Sequence, residues 1–553
     1  MVELNSVSNT SASSLPLGKN KKIPIVIGVT GHRNIIEKDK EPLKASIKLE
    51  LEKLRQAYPH SNIVMLSTLT RGADTLAAIC ARELDIKLVC TLPLPAEEYM
   101  NDFTGEDLQT FNELLDYAYD SFVVPNTEEI PQTIDREFQY RQAGIYIASH
   151  SHILLALWDG TSLGQADYGT SKMVDLMLNG TFLPENGKSM YTGENEAVLH
   201  IYTPNEITDA VSLGNVGQVS WLGKVENLRS SLAETEEFNR LMEKASGNDY
   251  NLLPDRDYED HMLDRFEYFY SKADKLSVDF QNKYRNVLAG LAVIGTVITL
   301  AFLLYDDILM HWLIVVCGIM LVFAGVVLHY AKKSDCQNHY IEYRTLAEGL
   351  RVQAFLHYAG SSIQASELFT WSQQIEKAWI MKALRVLSIG PSPSRKNDII
   401  ECWIHDQKVY HENASSRVKV DYDRSERNLD IAIAVSILLY IGVFILEITV
   451  GDLARTPLLE VGNLHTYRIL FSVALGTISA GTLFIANFYG KQSLSRQVSD
   501  HANMALFYQR MEDQLNRFGQ SDELLRYIAH EELIENSNWS SYKSDNKIGL
   551  EIG

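Results

Sequence analysis

The residues best suited to chemistry lie at the ends of three short apolar runs. The first run closes with Gly28-Val29-Thr30-Gly31-His32-Arg33. Gly31 permits a positive φ or a close approach of backbone to a ligand, and His32 and Arg33 follow where an anion could be held. The second run closes with Ser67-Thr68-Leu69-Thr70-Arg71-Gly72-Ala73-Asp74, a hydroxyl pair, an arginine and a glycine ahead of a helical pattern. The unpaired N–H groups and dipole of such a helix start favour phosphate. The third closes with Trp158-Asp159-Gly160, and the next helical pattern opens at Tyr168-Gly169-Thr170-Ser171. Taken singly, each glycine is explained by a tight turn, and Asp74 by a helix cap or an internal ion pair. Taken together, three glycine-bearing turns on one edge of one sheet point to a nucleotide-type pocket.

Other chemistries find little support. There is no GxxxxGK[ST] phosphate loop, GxSxG elbow or HExxH zinc pair. His150 and His152 flank Ser151 with no third metal ligand in evidence, so a polar turn is expected there. Neither a metal nor a resident cofactor is expected. The five cysteines (Cys80, Cys90, Cys317, Cys336, Cys402) have no CxxC spacing and read as reduced thiols. Net charge is −21, from 50 basic and 71 acidic side chains, with no basic block, which argues against a nucleic-acid partner.

These turns need a scaffold. From 23 to 204 the pattern alternates strand and helix. Strands are expected at 24–29, 62–66, 87–92, 121–124, 152–158 and 198–202, with helices at 41–58, 72–84, 107–117, 135–149 and 170–178. Continuous apolar strands joined by helices predict an α/β domain with a Rossmann-like parallel sheet covered on both faces. Ligands of such sheets sit beyond the carboxyl ends of the strands. Residues 1–22 are polar and read as a disordered tail without an apolar signal segment. Residues 205–260 read as an acidic connector with one helix at 225–245.

The second half changes solvent. Uncharged apolar stretches of about 20 residues occupy 287–305, 312–330, the core of 429–450, and 469–489. At ~1.5 Å rise per residue each spans roughly the 30 Å hydrocarbon layer. Four transmembrane helices are therefore expected, in two hairpins at 261–360 and 421–553, with long cytosolic helical extensions and a cytosolic helical connector at 361–420. Lys283 and Arg285 precede the first span, Lys332 and Lys333 follow the second, Arg424 and Arg427 precede the third, and Lys491 and Arg496 follow the fourth. The outer turns carry Asp306, Asp307 and Arg455, so the positive-inside rule places both termini in the cytoplasm of an inner-membrane, multi-pass protein. Glu447 and Asp430 lie near the ends of the third span, where a boundary role is expected. Ser472, Thr477, Ser479, Thr482 and Asn487 form a polar stripe on the fourth, and Gly476 with Ala480 a small-residue packing face.

The motifs GVTGHR, TRGADTLA and ALWDG with a following GT resemble the SLOG branch of Rossmann-like domains, which is related to the DprA and LOG proteins. The resemblance covers about 23–204. It implies recognition of nucleotides or their derivatives, including NAD-derived signals, by Gly31, Arg33, Thr70, Arg71, Gly72, Asp74, Asp159, Gly160, Gly169 and Thr170, to which the position of His32 after the first strand adds a further ligand-binding residue. LOG-type phosphoribohydrolases carry PGGxGTxxE with a catalytic Glu, whose place here is taken by Met173. A thioether can neither carry a proton nor stabilise an oxocarbenium ion as a carboxylate can, so binding without turnover is expected. Asp74, Asp159 or Glu137 could still serve another chemistry. The AEGLR and WIHDQKVY segments with the two hairpins resemble the SLATT class of two-helix membrane modules. Together these resemblances imply a bacterial anti-phage effector. A nucleotide second messenger, supplied by a messenger-producing enzyme, would drive a homo-oligomer in the lipid bilayer to open a pore or disrupt the membrane. The alternatives are a membrane-tethered nucleotide or nucleoside hydrolase and a nucleotide-regulated ion channel outside defence.

Overall fold

The computed structural model describes residues 21–125, 135–161, 169–180, 196–204, 214–245, 252–253, 260–307, 312–393, 397–450, 462–492 and 494–545. The amino-terminal tail, Tyr168 and Arg455 lie outside the described residues, as do the side chains of Asp306, Asp307, Glu447, Asn487 and Lys491.

In chain order the strands are β1 (Ile25–Gly31), β2 (Ile63–Ser67), β3 (Lys87–Leu92), β4 (Asp120–Val123), β5 (Ile153–Trp158), β6 (Ala197–Tyr202) and β7 (Val219–Gly223). The helices among them are α1 (Lys40–Ala57), α2 (Ala73–Glu83), α3 (Ala96–Tyr99), α4 (Glu106–Tyr117), α5 (Arg136–His150), α6 (Thr170–Asn179) and α7 (Val225–Met242). They continue as α8 (His261–Asp307), α9 (Leu313–Lys333), α10 (Cys336–Tyr358), α11 (Trp371–Glu376), α12 (Ala378–Leu387), α13 (Asp406–Val450), α14 (Gly462–Gln492), α15 (Leu494–Phe518) and α16 (Asp522–Asp545). A π-helical turn, Ile400–His405, leads into α13.

The chain divides into two units. The first comprises 1–276, 344–399 and 520–537 and is built on one seven-stranded sheet, ordered β4-β3-β2-β1-β5-β6-β7. All pairs are parallel except β6 with β7. β1, β2, β3, β5 and β6 lie where the sequence predicts them because each is a largely apolar run buried on both faces, as in β2, where all five residues are buried, whereas the edge strands β4 and β7 are only partly buried. The chain winds outward from β1 through β2, β3 and β4, then returns to place β5 on the other side of β1. That reversal puts a topological switch point at the carboxyl ends of β1 and β5.

Two features of this unit extend past the stretch of alternating pattern. The antiparallel strand β7 and helix α7 fall in the segment read from sequence as a connector, and Leu228 and Leu232 of α7 are buried in the same core as the sheet. The segments 344–399 and 520–537 are held there by buried polar groups. Lys382 of α12 meets Glu196 at 2.5 Å and donates to the Ser151 carbonyl, while Arg265 donates to the carbonyls of Leu387 and Ile389. Arg351 of α10 meets Glu532 of α16 at 2.5 Å with both side chains nearly excluded from water. His150 and His152, expected in a polar turn, are instead buried, and burial pushes both imidazoles down to about 3.

The second unit, 277–343, 400–519 and 538–553, is helical. Among the described residues four helices, within His261–Tyr305, Leu313–Tyr358, Ile400–Ile445 and Ile469–Ala486, are long and apolar enough to cross a membrane. Val322, Leu438 and Leu483 are 70%, 68% and 72% exposed. In water such a surface would be unfavourable, whereas in a bilayer it needs no covering. The repeated plan of long helix, hairpin and long helix is present as α8–α10 and α13–α15. Within this unit the small residues pack helices together. A Cβ on Gly476 of α14 would come within 2.6 Å of Leu303 on α8, and one on Gly295 within 2.4 Å of the Phe484 ring. The hydroxyls of Thr477 and Thr482 donate to the carbonyls of Val473 and Ile478 in their own helix.

Candidate functional site

Three turns meet at the switch point. The first follows β1, where Gly31 sits against its neighbours: a Cβ there would lie 2.3 Å from that of Ala73 and 2.6 Å from the Leu157 carbonyl oxygen. Only glycine lets β1, β5 and the start of α2 approach this closely. The second turn follows β2 and requires Gly72, with φ +95° and a would-be Cβ only 2.4 Å from the carbonyl oxygens of His32 and Arg33. The Ala73 amide donates to that His32 carbonyl, so the first and second turns are stitched together through backbone. The third follows β5. The His32 amide donates to the Leu157 carbonyl, and the Asp159 amide donates to His32 Nε2 at 3.2 Å.

Asp74 anchors the second turn. It is buried in the first turn of α2, with Thr68 Oγ1 donating to its Oδ2 at 2.5 Å. The hydroxyls continue from Thr68 to Thr70 at 2.7 Å and on to the Tyr99 phenol at 3.1 Å. Desolvation pushes the Asp74 carboxyl up to about 6, against the opposing pull of its Thr68 hydrogen bonds and the Arg33 charge. A carboxyl in that range can both give and take a proton near neutrality. His32 is held below its ordinary value by burial, partly offset by Asp159. In its neutral form Nε2 accepts from the Asp159 amide; on protonation Nε2 becomes a donor and meets Asp159 Oδ1 at 3.3 Å. Asp159 Oδ1 also accepts from the amide and hydroxyl of Thr161, which fixes the third turn.

The cations stand at the rim. Arg33 lies over the Tyr140 ring at 5.3 Å, and Arg71 pairs with Asn34 and, at 3.8 Å, with Asp107. The Arg71–Asp107 pair is exposed and long, so an incoming phosphate would displace it at little expense. Gly169 begins α6 and Gly72 begins α2, in both cases with no side-chain cap. At α2, however, the Ala73 and Thr75 amides donate to the carbonyls of His32 and Thr70, so this helix start is occupied by its own backbone more than the sequence suggested.

Of the residues singled out from sequence, His32 joins three: Gly31 precedes it in the chain, Gly72 packs against its carbonyl, and Asp159 donates to its ring. Thr70 and Asp74 join through Thr68, Arg33 and Arg71 flank them, and Gly160 and Thr170 flank the turn after β5 and the start of α6. Thr68 and Tyr99 were missed as site residues. Thr68 directly follows β2, a position that could have flagged it. Tyr99 comes from α3, which no periodicity marks. Met173 is 2% exposed, and a Cβ on Gly144 of α5 would touch its sulfur at 2.6 Å, so it belongs to the α5–α6 packing. Among the described residues no cluster of His, Cys, Asp and Glu could hold a metal ion. No family model matches the chain. No curated protein matches it either.

Proposed function

We propose that this chain is a membrane effector that binds a nucleotide-derived messenger at the carboxyl edge of its sheet and responds by changing membrane permeability. The observation that carries the proposal is the convergence of Arg33, Arg71, Asp74 and the His32–Asp159 pair at the switch point, in a chain with four helices apolar enough to span a bilayer. Two arginines recognise phosphate oxygens through charge-assisted hydrogen bonds. The hydroxyl relay Thr68–Thr70–Tyr99 and the Asp74 carboxyl suit ribose and base hydroxyl or amide groups. The SLOG and SLATT resemblances support placing this switch in anti-phage defence, as a homo-oligomer in the inner membrane with both termini cytoplasmic. For such a switch the messenger must bind the active state more tightly than the resting one.

The test uses full-length protein in sealed liposomes with a panel of NAD, ADP-ribose, its cyclic forms and cyclic nucleotides. One ligand is expected to bind and release an entrapped dye. Arg71→Ala is expected to weaken binding by tenfold or more and to abolish release, with membrane insertion unchanged. A fully responsive Arg71→Ala protein would remove the pocket assignment. A second reading, a membrane-tethered hydrolase, draws on Asp74, whose carboxyl is held near about 6 by desolvation. Turnover of any panel member that is lost in Asp74→Asn would favour it.

A further inference from the structure

Among the helices of the second unit lies a half-open pocket of about 290 Å³. It is lined by Ala289 and Ala292 of α8, Asn428, Leu429 and Ala432 of α13, and Thr482 and Ile485 of α14. The helices touch further along, where Gly295 meets the Phe484 ring and Gly476 meets Leu303. Ala289, Ala292 and Ala432 present only methyl groups to the space between these helices.

Water is a poor occupant. At roughly 30 Å³ per molecule the space would hold about ten waters, and each needs two to four polar partners. The Thr482 hydroxyl gives its one proton to the Ile478 carbonyl of its own helix, so beyond that oxygen as an acceptor and Asn428 the walls are apolar. A methylene has roughly the volume of a water, so the cavity matches about ten methylenes of a hydrocarbon chain. The walls belong to apolar, membrane-length helices, so the solvent at hand is itself hydrocarbon. The rim supplies the other half of a lipid. Arg285 stands one helical turn before Ala289, Arg424 one turn before Asn428, and Arg427 directly before it. Glu426 and Asp430 stand beside them, so the rim carries both signs.

We propose that this cavity is a phospholipid site: one acyl chain enters between α8, α13 and α14, and the phosphate is held at Arg285 and Arg427. This rests on the spanning role of these helices and not on any messenger, so it can fail while the sensing proposal stands, and the converse.

Full-length protein is reconstituted with a phospholipid bearing a photoreactive diazirine on its acyl chain, and labelled peptides are mapped. Labelling is expected to concentrate on 285–292 and 428–432. Ala432→Phe and, as a milder filling, Ala292→Leu are expected to lower it at least fivefold there, with helix content by circular dichroism unchanged. Arg427→Gln is expected to reduce phosphate retained after detergent extraction, and a diazirine fatty acid lacking the phosphate is expected to label the site several-fold less. Uniform labelling along exposed positions such as Val322, Leu438 and Leu483, unaffected by the fillings, would overturn the proposal. So would efficient disulfide crosslinking between copies through Ala432→Cys with lipid labelling absent, since a second copy would then fill the space.

Discussion

Replacing Asp74 with Asn should make the sheet edge more stable, because the native carboxylate is buried at a cost. Its carboxyl is pushed from 3.8 up to about 6. That is about two units, or about 3 kcal/mol of penalty on the ionised form at neutral pH. The native state binds this proton more tightly than the unfolded chain does. The penalty is therefore full above about pH 6, shrinks as pH falls from 6 toward 3.8, and is absent below that. Asn keeps an acceptor for Thr68 but gives up a negative charge at the start of α2, a loss of about 0.3–1 kcal/mol. The net expectation is a gain of about 2 kcal/mol at pH 7, which corresponds to roughly thirtyfold slower amide exchange in segments that exchange by local opening. Hydrogen exchange of β2 and α2 in full-length protein, corrected for intrinsic rates, reads this directly. The gain should vanish by pH 4. Weaker protection at pH 7 in the variant, or a difference from the parent that ignores pH, would refute the reasoning that Asp74 is a strained, desolvated carboxyl. A stabilising loss of charge would also mark Asp74 as retained for binding rather than for folding.

Acid should loosen the first unit by another route. His150 and His152 are held near about 3 by burial, so unfolding releases them to bind protons as pH falls below about 6.5. By pH 5 each is expected to have withdrawn about 2 kcal/mol, and His152→Asn, which keeps an acceptor for the Val26 amide, should halve the acid shift in melting temperature. An unchanged slope in that variant would count against the buried neutral imidazole. Gly72→Ala should destabilise the sheet edge by about 1–3 kcal/mol, since φ is +95° and the new methyl meets two backbone oxygens that cannot yield. Thermal melting with and without ligand should register both a lower midpoint and a lost ligand shift; an unperturbed midpoint would contradict the close approach of the first and second turns.

Much of this protein is written locally. Runs such as Ile63–Ser67 and Ile153–Trp158 are short, apolar and bounded by turn residues, and helices such as α1 and α4 between them carry one apolar face, so the α/β character and the order of elements follow from sequence. The four membrane-length helices follow from composition in the same way, because no arrangement of neighbours could cover them all in water. The glycines of the candidate site were legible too, Gly31 and Gly160 at the carboxyl ends of strands and Gly72 and Gly169 at the starts of the helices that follow. Which elements meet was decided only by tertiary contact. The reversal that sets β5 beside β1, the antiparallel closure by β7, and the inclusion of 344–399 and 520–537 in the first unit all depend on residues far apart in the chain, such as Lys382 with Glu196 and Arg351 with Glu532. The same holds for chemistry. A sequence displays a carboxyl at Asp74, but the depth of burial and the Thr68–Thr70–Tyr99 relay that set its acidity exist only once β2, α2 and α3 are packed together. Periodicity and composition are properties of neighbours along the chain, whereas pairing and desolvation are properties of neighbours in space.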